Sequence, residues 1–121
     1  MIPEFEFYTQ DVTEEDIETI NLIAKGFNVR VGKHKAISNK KAREIMYTNL
    51  GIKISDPQFR KFVQHIRAYN LCPRLCSCSK GYYIAPTNEE YNANIKAFAS
   101  RVRSMQYTLA AMKHYEIVNK I

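Results

Sequence analysis

Three cysteines and a histidine are the residues in this sequence best suited to metal or covalent chemistry. Cys72, Cys76 and Cys78 form a C-x3-C-x-C run, and His65 lies seven residues before the first. A zinc centre ordinarily takes two paired ligand clusters, such as C-x2-C with a second pair, and this spacing supplies one irregular cluster. No zinc and no other cofactor is expected. Cys76 and Cys78 alternate along a strand-like stretch and so share one face, where small thiols pack as apolar groups. A Cys–His nucleophile would need an oxyanion or acid partner pattern, which is missing, and the glycines at 26, 32, 51 and 81 form no phosphate-cradling loop. The chain is not expected to be an enzyme.

The cationic side chains offer a different chemistry, recognition of anions. Formal net charge is +6, but it is segregated. Residues 1–20 hold seven acids (Glu4, Glu6, Asp11, Glu14, Glu15, Asp16, Glu18) and no Lys or Arg. Residues 21–85 hold thirteen Lys and Arg against only Glu44 and Asp56, a block charge of +11. So dense a positive centre repels itself, and a polyanionic partner is the natural reason to keep it.

These residues must be positioned by one modest domain. The 121 residues are 45% hydrophobic and 25% charged, and eight Tyr with six Phe provide apolar area to bury. No apolar run approaches the roughly 18 residues that span a bilayer. The start, Met1-Ile2-Pro3-Glu4-Phe5-Glu6-Phe7-Tyr8, is the opposite of a basic secretory leader. Three Cys cannot all pair within one chain, which favours a reducing compartment. A cytoplasmic protein without membrane contact is expected.

Thr13-Glu14-Glu15-Asp16 predicts a capped first helix, with Ile17, Ile20, Ile23, Ala24 and Phe27 on its apolar face and an end at Gly26 or Asn28. A polar connector, Arg30 to Lys35, leads to Ser38, the N-cap of a second helix over Asn39 to about Asn49. Ala42, Ile45, Met46 and Leu50 point inward there, and Gly51 stops the helix. Ser55-Asp56-Pro57 opens a third helix whose apolar face is Phe59, Phe62, Val63 and Ile66, ending near Tyr69-Asn70. Leu71 to Cys78 and Tyr82 to Ala85 read as strands around a Ser79-Lys80-Gly81 turn. Alternation places one of Tyr82 and Tyr83 in the core and the other on the surface. Pro86 breaks the second strand, and Thr87-Asn88-Glu89-Glu90 caps a long last helix, expected to run about 28 residues or ~42 Å.

Helix, helix, Gly turn, helix and hairpin is the order of a winged helix-turn-helix. Residues 38–85 resemble the winged-helix domains of small phage and prophage proteins. The resemblance lies in Ser38-Asn39-Lys40-Lys41-Ala42-Arg43-Glu44-Ile45 through Phe59-Arg60-Lys61-Phe62-Val63, and in the wing from Leu75 to Ala85. The Gly usual between third helix and wing is replaced by Tyr69-Asn70, and Asn tolerates the left-handed conformation. The resulting expectation is a mainly α fold with a small β-hairpin. It comprises an acidic segment 1–12, a winged helix-turn-helix domain 13–86 and a C-terminal helix 87–121.

With Phe59, Phe62, Val63 and Ile66 inward, Gln58, Lys61, Gln64 and His65 become candidates for base edges in a major groove, since Gln pairs with adenine and Lys donates to guanine. Arg60 and Arg67 share one stripe and suit phosphates, as do Lys40, Lys41, Lys53 and Ser55. Lys80 at the wing, with Arg74 nearby, would grip a phosphate or enter a minor groove. In the last helix Tyr91, Ile95, Phe98, Val102, Met105, Leu109 and Met112 alternate steps of four and three, a heptad seam. It packs either on the first helix or against a second copy, and its length favours a homodimer. Double-stranded DNA is the expected partner, in transcription regulation or in replication, where another protein of the complex would also bind. The rival readings are a protein-interaction module, such as a phage-encoded inhibitor of a host enzyme complex, and a single-strand or RNA binder.

Overall fold

A computed structural model describes residues 12–119. The acidic segment 1–12 therefore lies, apart from Val12, outside the described residues. Helix α1 (Glu14–Asn28) opens on a reciprocal capping box, in which Thr13 Oγ1 accepts from the Asp16 N–H and Asp16 Oδ2 accepts from the Thr13 N–H, both at 3.2 Å. Its buried face is Ile20, Ile23, Ala24 and Phe27. Ile17 was expected on that face but is 42% exposed. Ile17 shares the stripe of Ala24, which is covered by Cys72, whose thiol donates to the Ala24 carbonyl at 3.3 Å. That cover sits two turns farther along α1.

Helix α2 (Asn39–Leu50) is capped by Ser38, and Gly51 ends it at φ +66°, with its N–H bonded to the Tyr47 carbonyl at 2.9 Å. Ala42 and Met46 are buried and Ile45 is half-buried, whereas Leu50, expected inward, is 53% exposed. Each step of four along a helix turns the side chain by about 40°, so Leu50 ends about 80° from Ala42. Helix α3 (Asp56–Ala68) begins on the Ser55 cap with Pro57 in its first turn, and Phe59, Phe62, Val63 and Ile66 are all buried. Asn70 takes the left-handed conformation at φ +52°.

The hairpin is β1 (Leu75–Cys78) with β2 (Gly81–Ile84), antiparallel, in the register Leu75 to Ile84 and Cys76 to Tyr83. The strand expected from Leu71 starts only at Leu75. Pro73 has no N–H to give a ladder and Arg74 sits at φ +62°, so the extended run cannot begin earlier. The connector after α1 is more than a linker. Beyond a short 3₁₀ turn at Lys33–Lys35, Ile37 exchanges two hydrogen bonds with Tyr82, at 2.9 and 2.8 Å, and Val31 bridges Ile84. The chain just before α2 thus forms a short third rung on the free edge of β2.

The hairpin is covered on both faces. Leu75 and Ile84 join the main core of the three helices, and Tyr82 packs there in an aromatic group with Phe27 and Phe59, ring centroids 5.4 and 6.2 Å away. Cys76, Tyr83 and Ala85 face the other way, into a second small core with Ala36, Cys78 and Tyr91. Tyr83 is therefore buried and Tyr82 half-buried against the main core, so neither is the free surface Tyr that alternation predicted. The reason is the last helix, α4 (Asn88–Asn119), whose first turns lie along the outer face of the hairpin. Asn94 Nδ2 donates to the Ser77 carbonyl at 2.9 Å. Tyr91, expected in the heptad seam, belongs instead to this second core. Packing of the seam on α1 is not observed, because every residue from Ile95 to Asn119 is exposed. Among the described residues no helix is long and apolar enough to cross a membrane.

Candidate nucleic-acid interface

The outward side of α3 divides between two concave surfaces. Arg60, Gln64 and Arg67 line a groove of about 390 Å³, together with Ser38 and Asn39 at the start of α2, Ser77 to Ser79 and Gly81 of the hairpin, and Phe98 of α4. This surface exists because Ile37 is tied to Tyr82, which holds the first turn of α2 against the hairpin. The positive end of the α2 dipole adds to two guanidinium groups here. Asp56, four residues before Arg60, bonds its guanidinium at 3.3 Å on the exposed side. The Asn39 Oδ1 accepts from Arg43 Nε at 2.6 Å, whereas its buried Nδ2 has no hydrogen-bond partner. Arg101 lies over the ring of Phe98, 5.5 Å from its centroid.

Gln58 and Lys61 lie on the second surface, a cleft with Val12, Asp16, Pro57 and Phe62 beside the start of α1. Of the four candidates for base edges, Gln58 and Gln64 are exposed, while Lys61 and His65 are partly buried. His65 stacks on Tyr69, ring centroids 4.5 Å apart, and its Nδ1 is buried without a hydrogen-bond partner. Burial pushes its pKa below the ordinary imidazole value, so the ring is neutral at pH 7.

The candidates for phosphate contacts are dispersed in the same way. Lys40 and Lys53 face a third concavity with Arg43, Glu44, Tyr47 and Ile54, and Lys41 lies 4.0 Å from Glu44. The Ser55 hydroxyl accepts from the Gln58 N–H at 3.2 Å and so serves as a helix cap. Arg74 is half-buried, and its Nε donates to the Ala85 carbonyl at 3.0 Å, which fastens the base of the hairpin. Lys80 stands exposed at the hairpin turn. Asn39 and Phe98 are among the groove residues that sequence reasoning missed, as are Ser38, Ser77 and Ser79. Asn39 carried a signal, as the first residue after a helix cap in a basic run; Phe98 was absorbed by the heptad pattern.

Cys72 and Cys76 sit apart from this surface as packed thiols, and the half-buried Cys78 lies at its edge. Burial pushes Cys72 up to about 11 and raises Cys76 as well, so both are protonated at neutral pH. Among the described residues no group of three or more His, Cys, Asp or Glu side chains comes together. Comparison with protein-family models, with curated proteins and with solved structures finds no match for this chain.

Proposed function

We propose that this chain is a sequence-specific double-stranded DNA-binding protein of the winged helix-turn-helix kind. In this reading α3 enters the major groove and the hairpin lies on the phosphate backbone. The observation that carries it is the basic groove, where Arg60, Gln64 and Arg67 share one surface with the N-terminus of α2 and the hairpin turn. Helix N-termini and arginines grip phosphates, and an exposed Gln on the same helix supplies bidentate base reading. The short pairing of Ile37 with Tyr82 adds support, because it locks the two helices and the hairpin into one rigid reading head. The role is regulatory or replication-associated, in the cytoplasm of a bacterial host if the protein is of phage origin, as the resemblance implies.

A second reading, a module that binds and inhibits another protein, is favoured by one feature. An apolar hollow of about 350 Å³ between α1 and α2 is lined by Leu22, Ile23, Phe27, Val29, Ile45 and Met46, with Arg30 and Lys35 beside it. Salt separates the two readings. Selection from a random duplex pool should yield a preferred site, and log affinity for it should fall against log salt by about 0.9 per phosphate contacted. Failure to enrich any sequence, with no binding to duplex at low salt, would refute the DNA reading.

A further inference from the structure

Helix α4 is 32 residues, about 48 Å long, and its first turns alone are held by the hairpin. The 25 residues from Ile95 to Asn119 are all exposed. Among them Ile95 is 47% exposed, Phe98 51%, Val102 38%, Met105 71%, Leu109 52% and Met112 65%. A single helix of this length gains little in water from its own hydrogen bonds, and most helical stability comes from packing an apolar face. These side chains fall on one seam along the α4 stretch beyond the hairpin.

We infer that α4 forms a parallel two-stranded coiled coil with the α4 of a second copy of this chain. The heptad register decides the occupant. Ile95, Val102 and Leu109 take the a positions, and Phe98, Met105 and Met112 take the d positions. No charged residue interrupts the seam between Ile95 and Met112. Ile95 and Val102, branched at Cβ in the first two a layers, match the a-position preference of two-stranded parallel coils. The flanking positions also tolerate self-pairing. In a parallel register Arg101 faces Gln106 of the next heptad across the seam, and Thr108 faces Lys113, so no like charges meet. The area reaches the lower bound of a stable interface: at about 200 Å² for a full side chain, complete covering of the six seam residues buries roughly 600 Å² per copy, or about 1,200 Å² for two. The seam ends where Glu116 would occupy the next a layer.

This inference stands on α4 and not on the DNA reading; its consequence for DNA does rest on that reading. Phe98 is both a d layer of the seam and a wall of the basic groove. A parallel pair therefore brings two basic grooves to the same end of the coil, and binding to paired half-sites gains from effective concentration.

Sedimentation equilibrium of the full chain, without DNA, tests it. The wild type at micromolar concentration should sediment at twice its 14.1 kDa mass. Val102→Asp with Leu109→Asp should sediment as a monomer, while Ser100→Asp with His114→Asp, equal charge on the outer face, should stay dimeric. Near-ultraviolet circular dichroism of the tyrosines reports whether the helical core survives in each. Met112→Cys should oxidise to a disulfide-linked dimer, which a parallel pair allows and an antiparallel one forbids, the wild type serving as control for the native thiols. A monomeric wild type, a larger assembly, a dimeric seam variant, a core that unfolds with the seam or a Met112→Cys chain that does not cross-link overturns the inference.

Discussion

Replacing Gly81 with Ala should cost the protein about 3–5 kcal/mol. Gly81 sits at φ +124°, a conformation L side chains rarely adopt. Such backbone strain costs of order 1–3 kcal/mol. A Cβ at this position would also run into the carbonyl of Ile37 and the amide of Ser38, backbone atoms that cannot swing aside. The nearest relief is to part Ile37 from Tyr82, which gives up two hydrogen bonds worth about 1 kcal/mol each. Whole domains are stable by only about 5–15 kcal/mol, so the loss is a large share. Scanning calorimetry should show the melting temperature lowered by about 10–20 °C. Lys80→Ala, next door and exposed, should change stability by less than about 0.5 kcal/mol. Because α2 begins directly after Ile37, Gly81→Ala should also open the basic groove and weaken duplex binding at temperatures where the chain is still folded. A Gly81→Ala protein that melts within 2 °C of the wild type would refute the claimed close approach of Gly81 to Ile37.

Three further outcomes are expected. Gln64→Ala should weaken specific duplex binding by about 1–3 kcal/mol with little effect on random duplex, and Lys61→Ala, which lies in the separate cleft, should do less; equal effects in fluorescence anisotropy would show that the groove does not set the reading face. Lys80→Ala should lower affinity for all duplexes alike and reduce the salt slope by about one; a change confined to sequence preference would mean that the hairpin reads groove shape. Cys72 is pushed up to about 11 and Tyr83 up to about 12 by burial, so folding keeps their protons on. The unfolded chain gives these protons up first, and the stability they confer is full below pH 9 and is lost as pH rises through 11 and 12. Thermal melts from pH 8 to 11 should show this decline, shallower in Cys72→Ala; an unchanged slope in that variant would exclude Cys72 as a contributor.

Much of the scaffold was legible because its signals are local. Thr13, Ser38, Ser55 and Gly51 announce helix ends through bonds to backbone a few residues away, and the structure has all four in place. The apolar face of α3 follows directly from its period. What stayed hidden depends on elements meeting in space. Ile37 is one paired residue between a polar turn and a helix cap, too short to show a period. Alternation separated the two faces of Tyr82 and Tyr83, but it could not tell that α4 dries the second face. The heptad pattern found Phe98 without revealing that the helix passes the basic groove at that turn. Residues predicted to act together, such as Lys53, Lys61 and Arg67, were distributed over three concavities by the rotation of α2 and α3.

The small core of Cys76, Tyr83, Ala85 and Tyr91 is a pivot with a long arm. It meets α4 at Tyr91, the Asn94 bond to Ser77 holds the next turn, and roughly 38 Å of helix extends beyond that bond. A tilt of about 10° at this joint, small enough for a few side chains to absorb, carries the far end through roughly 7 Å. The hairpin shares the joint, since Cys76 and Tyr83 are its cross-strand pair. Any ligand that shifts the hairpin therefore moves the tip of α4 by a magnified distance, and any load on the tip is returned to the hairpin as torque.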